Sequence, residues 1–160
     1  MVEEMSVIIR EEEKITIEQG FLTIMFIWGS ILALLIIYLG ICMFINESYQ
    51  IPVGENFPIT TLKNAFYVVS IIILFGIKFI RNKLIPEKGN RSENRVQYYI
   101  DKYKVAVIVS STLSECIGIF GLVLFFLSKN FNDLYILLAI SAAAMIFYRP
   151  KKSELTELMS

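Results

Sequence analysis

The stretch Val105–Leu127, VAVIVSSTLSECIGIFGLVLFFL, decides the fold class of this chain. An α-helix rises about 1.5 Å per residue, so about 20 helical residues cross the hydrocarbon core of a bilayer, which is about 30 Å thick. This run has 23 residues and a single carboxylate, Glu115, near its middle. It therefore predicts a membrane-spanning helix with Glu115 near the midplane, where an ionised side chain is expensive.

The composition agrees with a membrane protein and speaks against an enzyme. The 160 residues are 56% hydrophobic, whereas soluble domains have roughly 45–50% apolar residues. The net charge of +0 gives no electrostatic reason for a nucleic-acid partner. The chain has no histidine, the commonest metal ligand and the usual general base. Without a nucleophile–base pair, a glycine-rich phosphate loop or a metal-ligand cluster, the sequence predicts no catalysis, no cofactor and no metal site.

Three further apolar runs predict three further spans. Because only helices or closed barrels satisfy the backbone in lipid, we expect an all-α membrane protein with four transmembrane helices in an up-down-up-down bundle. Residues 1–18 would form a cytoplasmic N-terminal segment, which fits a short helix on the membrane surface. Residues 19–152 would form the transmembrane domain and residues 153–160 a small polar cytoplasmic tail. The spans are expected at about 20–45, 62–80, 105–127 and 131–148.

Basic residues predict the orientation. With four spans, 13 of the 15 Lys and Arg residues lie on the side that holds both termini and the connector between spans two and three. Since Lys and Arg collect in cytoplasmic loops, we expect an integral protein of the plasma (inner) membrane with both termini in the cytoplasm. The basic connector is also a candidate site for anionic lipid. Its candidate residues are Arg81, Lys83, Lys88, Arg91 and Arg95.

The same connector predicts where the third helix begins. Residues 95–104, RVQYYIDKYK, are expected to form its first turns before the chain enters the bilayer. Tyr98, Tyr99 and Tyr103 would then contribute to an aromatic belt at the membrane interface.

Small polar residues surround Glu115 in the predicted bundle. Ser111 and Thr112, four and three residues before it, share its side of the helix. Ser70 and Ser141 fall at a similar depth in spans two and four, as Ser30 does in span one. The candidate ion- or proton-binding residues are therefore Glu115, Ser111, Thr112, Ser70 and Ser141. Gly118 and Gly121 would let another helix approach closely.

Two functions fit this pattern. In the first, Glu115 is a neutral, buried packing residue that hydrogen-bonds a neighbouring helix in a structural or accessory subunit of a membrane complex. In the second, Glu115 is the protonatable site of an element that moves protons or Na⁺. A third, weaker option is lipid binding by the basic connector. The expected partners are the bilayer and either another membrane protein or further copies of this chain.

Residues 115–124, ECIGIFGLVL, also resemble the carboxylate helix of the c subunit in the rotor ring of F-type ATP synthases. That helix has an ion-binding Glu followed by a Gly-Ile-aromatic-small-Leu-Val run. The counterparts here are Glu115 and residues 118–123. The resemblance covers this one helix, and it implies that Glu115 binds H⁺ or Na⁺.

Overall fold

The computed structural model describes residues 2–45, 58–85 and 95–159, and the chain in these ranges is helical, with no strand. The expectation of an all-α fold is confirmed for this part of the chain. The five helices are α1 (Val2–Phe44), α2 (Ile59–Leu84), α3 (Arg95–Ser128), α4 (Phe131–Phe147) and α5 (Lys152–Met159).

Three of these helices are long and apolar enough to cross a bilayer, by length and composition. The qualifying segments are Lys14–Phe44 in α1, Ile59–Leu84 in α2 and Val96–Ser128 in α3. Helix α4 is equally apolar but has only 17 residues, which gives a length of about 25 Å. Each predicted span thus falls on one helix, and the fourth is shorter than a usual span.

Helix α3 is the centre of the structure, because α1, α2, α4 and α5 all pack against it. Its glycines explain the close contact with α4. A Cβ added at Gly121 would lie 3.1 Å from Cβ of Leu137 and 3.3 Å from the carbonyl oxygen of Leu134. A Cβ at Gly118 would lie 2.7 Å from Cδ2 of Leu35 in α1. The predicted role of these two glycines in close helix approach is therefore confirmed.

Both ends of the chain differ from the prediction. Residues 2–18 continue directly into α1 rather than forming a separate surface helix. The expected polar tail contains α5, which packs against α3. Leu155 is its anchor: the side chain is 0% exposed and packs in a cluster with Ile24, Tyr99 and Tyr103. Three apolar residues in an octapeptide, Leu155, Leu158 and Met159, are too weak a signal to predict such a helix.

The start of α3 confirms one prediction and corrects another. The helix begins at Arg95, as expected from the polar segment before the apolar run. Tyr99 and Tyr103, however, are 0% exposed and lie in the protein core. They pack between α1, α3 and α5 instead of facing the membrane interface, and only Tyr98 is half-buried.

Contacts at the helix ends fix how the helices are aligned. Near the end of α2, Arg81 bonds the carbonyl oxygen of Tyr148, which follows α4. Near the start of α2, Lys63 pairs with Asp133 at the start of α4. Helices α2 and α4 therefore run in the same direction. Helix α3 runs the opposite way, since Tyr103 near its start lies beside the segment that follows α4.

Candidate functional site

Glu115 is joined to α1 by a short hydrogen bond. The phenol of Tyr38 donates to Oε1 of Glu115 at 2.7 Å, across 77 residues of sequence. The Glu115 side chain is half-buried rather than enclosed. Sequence reasoning missed Tyr38. A phenol inside an apolar span needs a polar partner, but the sequence does not show which residue that partner is.

No hydrogen bond described in the structure joins Glu115 to another of the predicted site residues, which lie in different surroundings. Thr112 is exposed on the surface of α3. The hydroxyl of Ser70 donates to the carbonyl oxygen of Phe66 in its own helix at 2.7 Å. Sequence spacing placed these groups at a similar depth, but it did not fix the direction of each side chain around its helix axis.

Ser111 and Ser141 are buried, together with Ser110 and Ser114 of α3, and these four residues are 0–3% exposed. Ser111 lies one helical turn before Glu115. The Ser141 hydroxyl donates to the carbonyl oxygen of Ser114 at 2.6 Å, which joins α4 to α3. Ser114 in turn donates to the carbonyl oxygen of Ser110 at 2.8 Å. The hydroxyls of Ser110, Ser114 and Ser141 are small packing groups whose hydrogen bonds go to backbone carbonyls.

An uncovered strip of α3 runs beside Glu115. Its members recur at intervals of seven, seven and four residues, which is one face of a helix. We call this face the open stripe; it consists of Val105, Thr112, Ile119 and Val123, all exposed. Glu115 borders it on the side of α1. Phe120 borders it on the side of α2, where its ring stacks on Phe66 with centroids 4.7 Å apart.

A second carboxylate, Asp133, has a far more complete set of partners. It accepts from Lys63 Nζ at 2.7 Å, from the Tyr67 hydroxyl at 3.0 Å and from Asn130 Nδ2 at 3.0 Å. Asp133 is only 4% exposed. The ammonium group of Lys63 compensates this buried charge. Asp133 and its three partners therefore hold α2 and α4 together, which is a structural role.

A third polar cluster joins four helices at the opposite end. Arg81 donates from Nη1 to the carbonyl oxygen of Tyr148 and from Nη2 to Oε2 of Glu154, both at 2.7 Å. The Tyr103 hydroxyl donates to the same Glu154 oxygen at 3.0 Å and accepts from the Lys151 backbone N–H at 2.9 Å. The cluster therefore fixes the turn between α4 and α5 against α2 and α3.

This cluster changes the picture of the basic connector. Arg81 is 7% exposed and engaged within the protein, so its guanidinium is not free to meet lipid as the sequence suggested. Lys83 is exposed, as expected for a lipid contact. Lys88, Arg91 and the side chain of Arg95 lie outside the described residues.

Comparisons of the chain with protein-family models, with curated proteins and with solved structures found no match. The local likeness between α3 and the carboxylate helix of rotor-ring c subunits therefore stays a prediction. Within the described residues, no group of three or more Cys, Asp and Glu side chains is placed to hold a metal ion.

Proposed function

We propose that the chain is an integral protein of the plasma membrane with four spans in up-down-up-down order and both termini in the cytoplasm. The alternating directions of α2, α3 and α4 support this order. Helix α1 fits it too: Trp28 donates to the carbonyl oxygen of Met145, and Glu18 pairs with Lys152 at 2.9 Å. The end that carries Arg81 and Lys151 would face the cytoplasm, because basic residues are retained there.

Within the membrane, the proposed role is that of a structural or accessory subunit of a larger complex. The observation that carries it is the hydrogen bond between Tyr38 and Glu115, which joins α1 to the central helix near mid-membrane. Such a bond between helices contributes about 0.6 kcal/mol on average in a bilayer. Glu115 thereby acts as a packing residue, half-buried rather than fully buried as first expected.

The open stripe supports a partner. Thr112 and the uncovered side of Glu115 would face hydrocarbon if α3 stayed as it is, and polar groups in that position are costly. A helix from another membrane protein, or from a second copy, would cover them if it presented a hydrogen-bonding side chain. An accessory subunit needs such an incomplete face, whereas a self-sufficient bundle does not.

Glu115→Gln tests this role. Gln keeps the shape of a neutral Glu and still accepts the Tyr38 hydrogen bond, but it cannot ionise. We expect it to retain the complex that the wild-type chain forms when extracted in mild detergent. Glu115→Leu should lower the free energy of unfolding by about 1 kcal/mol and weaken that complex. Asp101→Asn, an exposed acidic position in α3, is the control for loss of a charge.

A second function, proton or Na⁺ translocation, is favoured by one observation. Glu115 is half-buried beside the open stripe, so a neutral apolar reagent could reach it from the bilayer, and a partner that covers the stripe could supply a polar path for an ion. This function predicts that Glu115→Gln folds and assembles but abolishes ion flux in proteoliposomes, while Glu115→Asp keeps part of it. It also predicts labelling of Glu115 by an apolar carbodiimide, with protection by Na⁺ if Na⁺ is the ion. Unchanged assembly of the Gln variant with no labelling and no flux would leave the structural role.

A further inference from the structure

A pocket of about 600 Å³ opens where the end of α2 meets the turn between α4 and α5. Its volume is in the range of small-molecule sites in proteins. Cationic side chains dominate its lining, against two carboxylates, Glu154 and Glu157. The cationic residues are Lys78, Arg81, Arg149 and Lys151.

The base of this pocket is rigidly built. Arg81 is almost fully buried and is held by the carbonyl oxygen of Tyr148 and by Glu154. Glu154 also accepts from Tyr103, so its charge is already compensated by protein groups. The other three cationic residues of the lining are exposed, namely Lys78, Arg149 and Lys151. The pocket therefore presents exposed cationic groups around a hydrogen-bonded base, which suits an anionic ligand with several oxygens.

The pocket borders a surface that is strongly apolar. Phe147 lines it and is 75% exposed. Phe75 and Phe79, in the last turns of α2, are 77% and 71% exposed. Exposed Phe side chains favour hydrocarbon, whereas Lys and Arg favour the headgroups, so the two kinds of residue side by side fit the boundary between these regions. A ligand that matches this surface has both a phosphate and an acyl chain.

We propose that this pocket binds the phosphate-bearing headgroup of an anionic phospholipid from the cytoplasmic leaflet. The phosphate would lie among Lys78, Arg149 and Lys151, and the acyl chains would follow Phe147 and Phe79 along the bundle. The site shares Arg81 with the connector suggested by the sequence, but its other cationic residues lie in α2 and in the turn between α4 and α5. The inference rests on the proposed membrane location and does not depend on the role of Glu115.

The test is a binding measurement on the purified full-length chain in detergent. Dioctanoyl-phosphatidylglycerol and dioctanoyl-phosphatidylcholine are titrated and the lipid-bound fraction is read by native mass spectrometry. We expect the anionic lipid to bind at least tenfold more tightly. The variant R149Q/K151Q should lose at least tenfold in affinity for it, and K78Q should also weaken it. The matched control, K14Q/K102Q, removes the same charge at two exposed positions outside the pocket lining and should change the affinity less than twofold.

Two further arms identify the source of the phosphate. Glycerol phosphate and inorganic phosphate, which carry no acyl chain, should bind far more weakly than the lipid. Equally tight binding of either one would overturn the assignment to a lipid. Equal losses in R149Q/K151Q and K14Q/K102Q would indicate general surface charge and would overturn the pocket.

Membrane insertion is measured separately, so the two proposals fail in different ways. Reconstitution into phosphatidylcholine nanodiscs reports whether the chain enters a bilayer at all. Failure to reconstitute would contradict the membrane proposal. Successful reconstitution with no preference for the anionic lipid would contradict only the pocket. Thermal unfolding of each variant confirms that the exposed substitutions leave the fold intact.

Discussion

The two sides of α3 have similar residues but different surroundings. On the side of α4, Gly121 lies against Leu134 and Leu137, and Ser114 accepts a hydrogen bond from Ser141. On the opposite side, the open stripe has the same mixture of aliphatic residues and a hydroxyl, but no helix of the described chain covers it. In a bilayer, apolar residues gain little by leaving lipid for another helix, so close packing there would depend on where the small residues lie.

Glu115 lies at the boundary between these two environments. Glu115 and Asp133 differ in their burial and in the number of their hydrogen-bond donors. Asp133 is buried and has three side-chain donors from α2 and from the turn before α4. Glu115 has one donor, Tyr38, and remains half-buried. A buried carboxylate whose hydrogen-bond donors all come from the same chain has a structural role. A half-buried carboxylate with a single donor can still bind a partner or an ion.

The largest effect is expected on the packed side, from Gly121→Val. The added Cβ alone would lie 3.1 Å from Cβ of Leu137 and 3.3 Å from a backbone oxygen, so α4 must move. Overpacking of this kind costs about 2 kcal/mol. The free energy of unfolding in detergent should fall by that amount. Gly76→Val is the matched control, because a Cβ there meets nothing within 4 Å. Equal losses in both variants would show that α3 and α4 are not closely packed at Gly121.

A smaller effect is expected from Ser141→Ala. The change removes the 2.6 Å hydrogen bond to the carbonyl oxygen of Ser114 while keeping the Cβ. The loss in free energy of unfolding should be about 0.6 kcal/mol, the average for hydrogen bonds between helices in a membrane. Ser30→Ala is the control, since that hydroxyl is exposed and bonds Phe26 in its own helix. A larger loss at Ser30 would contradict the assignment of Ser141 to the packed side.

The helices themselves could be predicted from the sequence, because long uncharged runs leave the backbone no other way to satisfy its hydrogen bonds in lipid. The close approach at Gly118 and Gly121 followed from residue size. The site could not be predicted to the same extent. Each residue turns about 100° around a helix, so Thr112 lies about 60° from Glu115 and this angle takes it onto the exposed surface.

Pairings between distant segments were also out of reach. Tyr38 and Glu115 are 77 residues apart, and nothing in either local pattern selects the other. Leu155 shows the same limit for packing. Its octapeptide reads as polar, yet the residue is 0% exposed because a cavity formed by α1 and α3 accepts it. Depth and hydrophobicity can be counted along a chain, whereas partners depend on how the helices are rotated against one another.

Ile119→Trp, on the open stripe, is expected to have the smallest effect on stability. It is also the sharpest test of the difference between the two sides of α3. Ile119 is 38% exposed, so the larger ring can extend away from the bundle, and the free energy of unfolding of the isolated chain should change by less than about 0.5 kcal/mol. The same ring would obstruct a helix that approaches Thr112 and Glu115. The complex recovered in mild detergent should therefore be lost or reduced, as measured by its elution volume and by mass spectrometry of its components. Ile72→Trp, at a 63% exposed position of α2, is the matched control and should leave the complex intact. An intact complex in the Ile119 variant, with partner proteins still present, would show that the open stripe faces lipid and that any partner binds elsewhere on the chain.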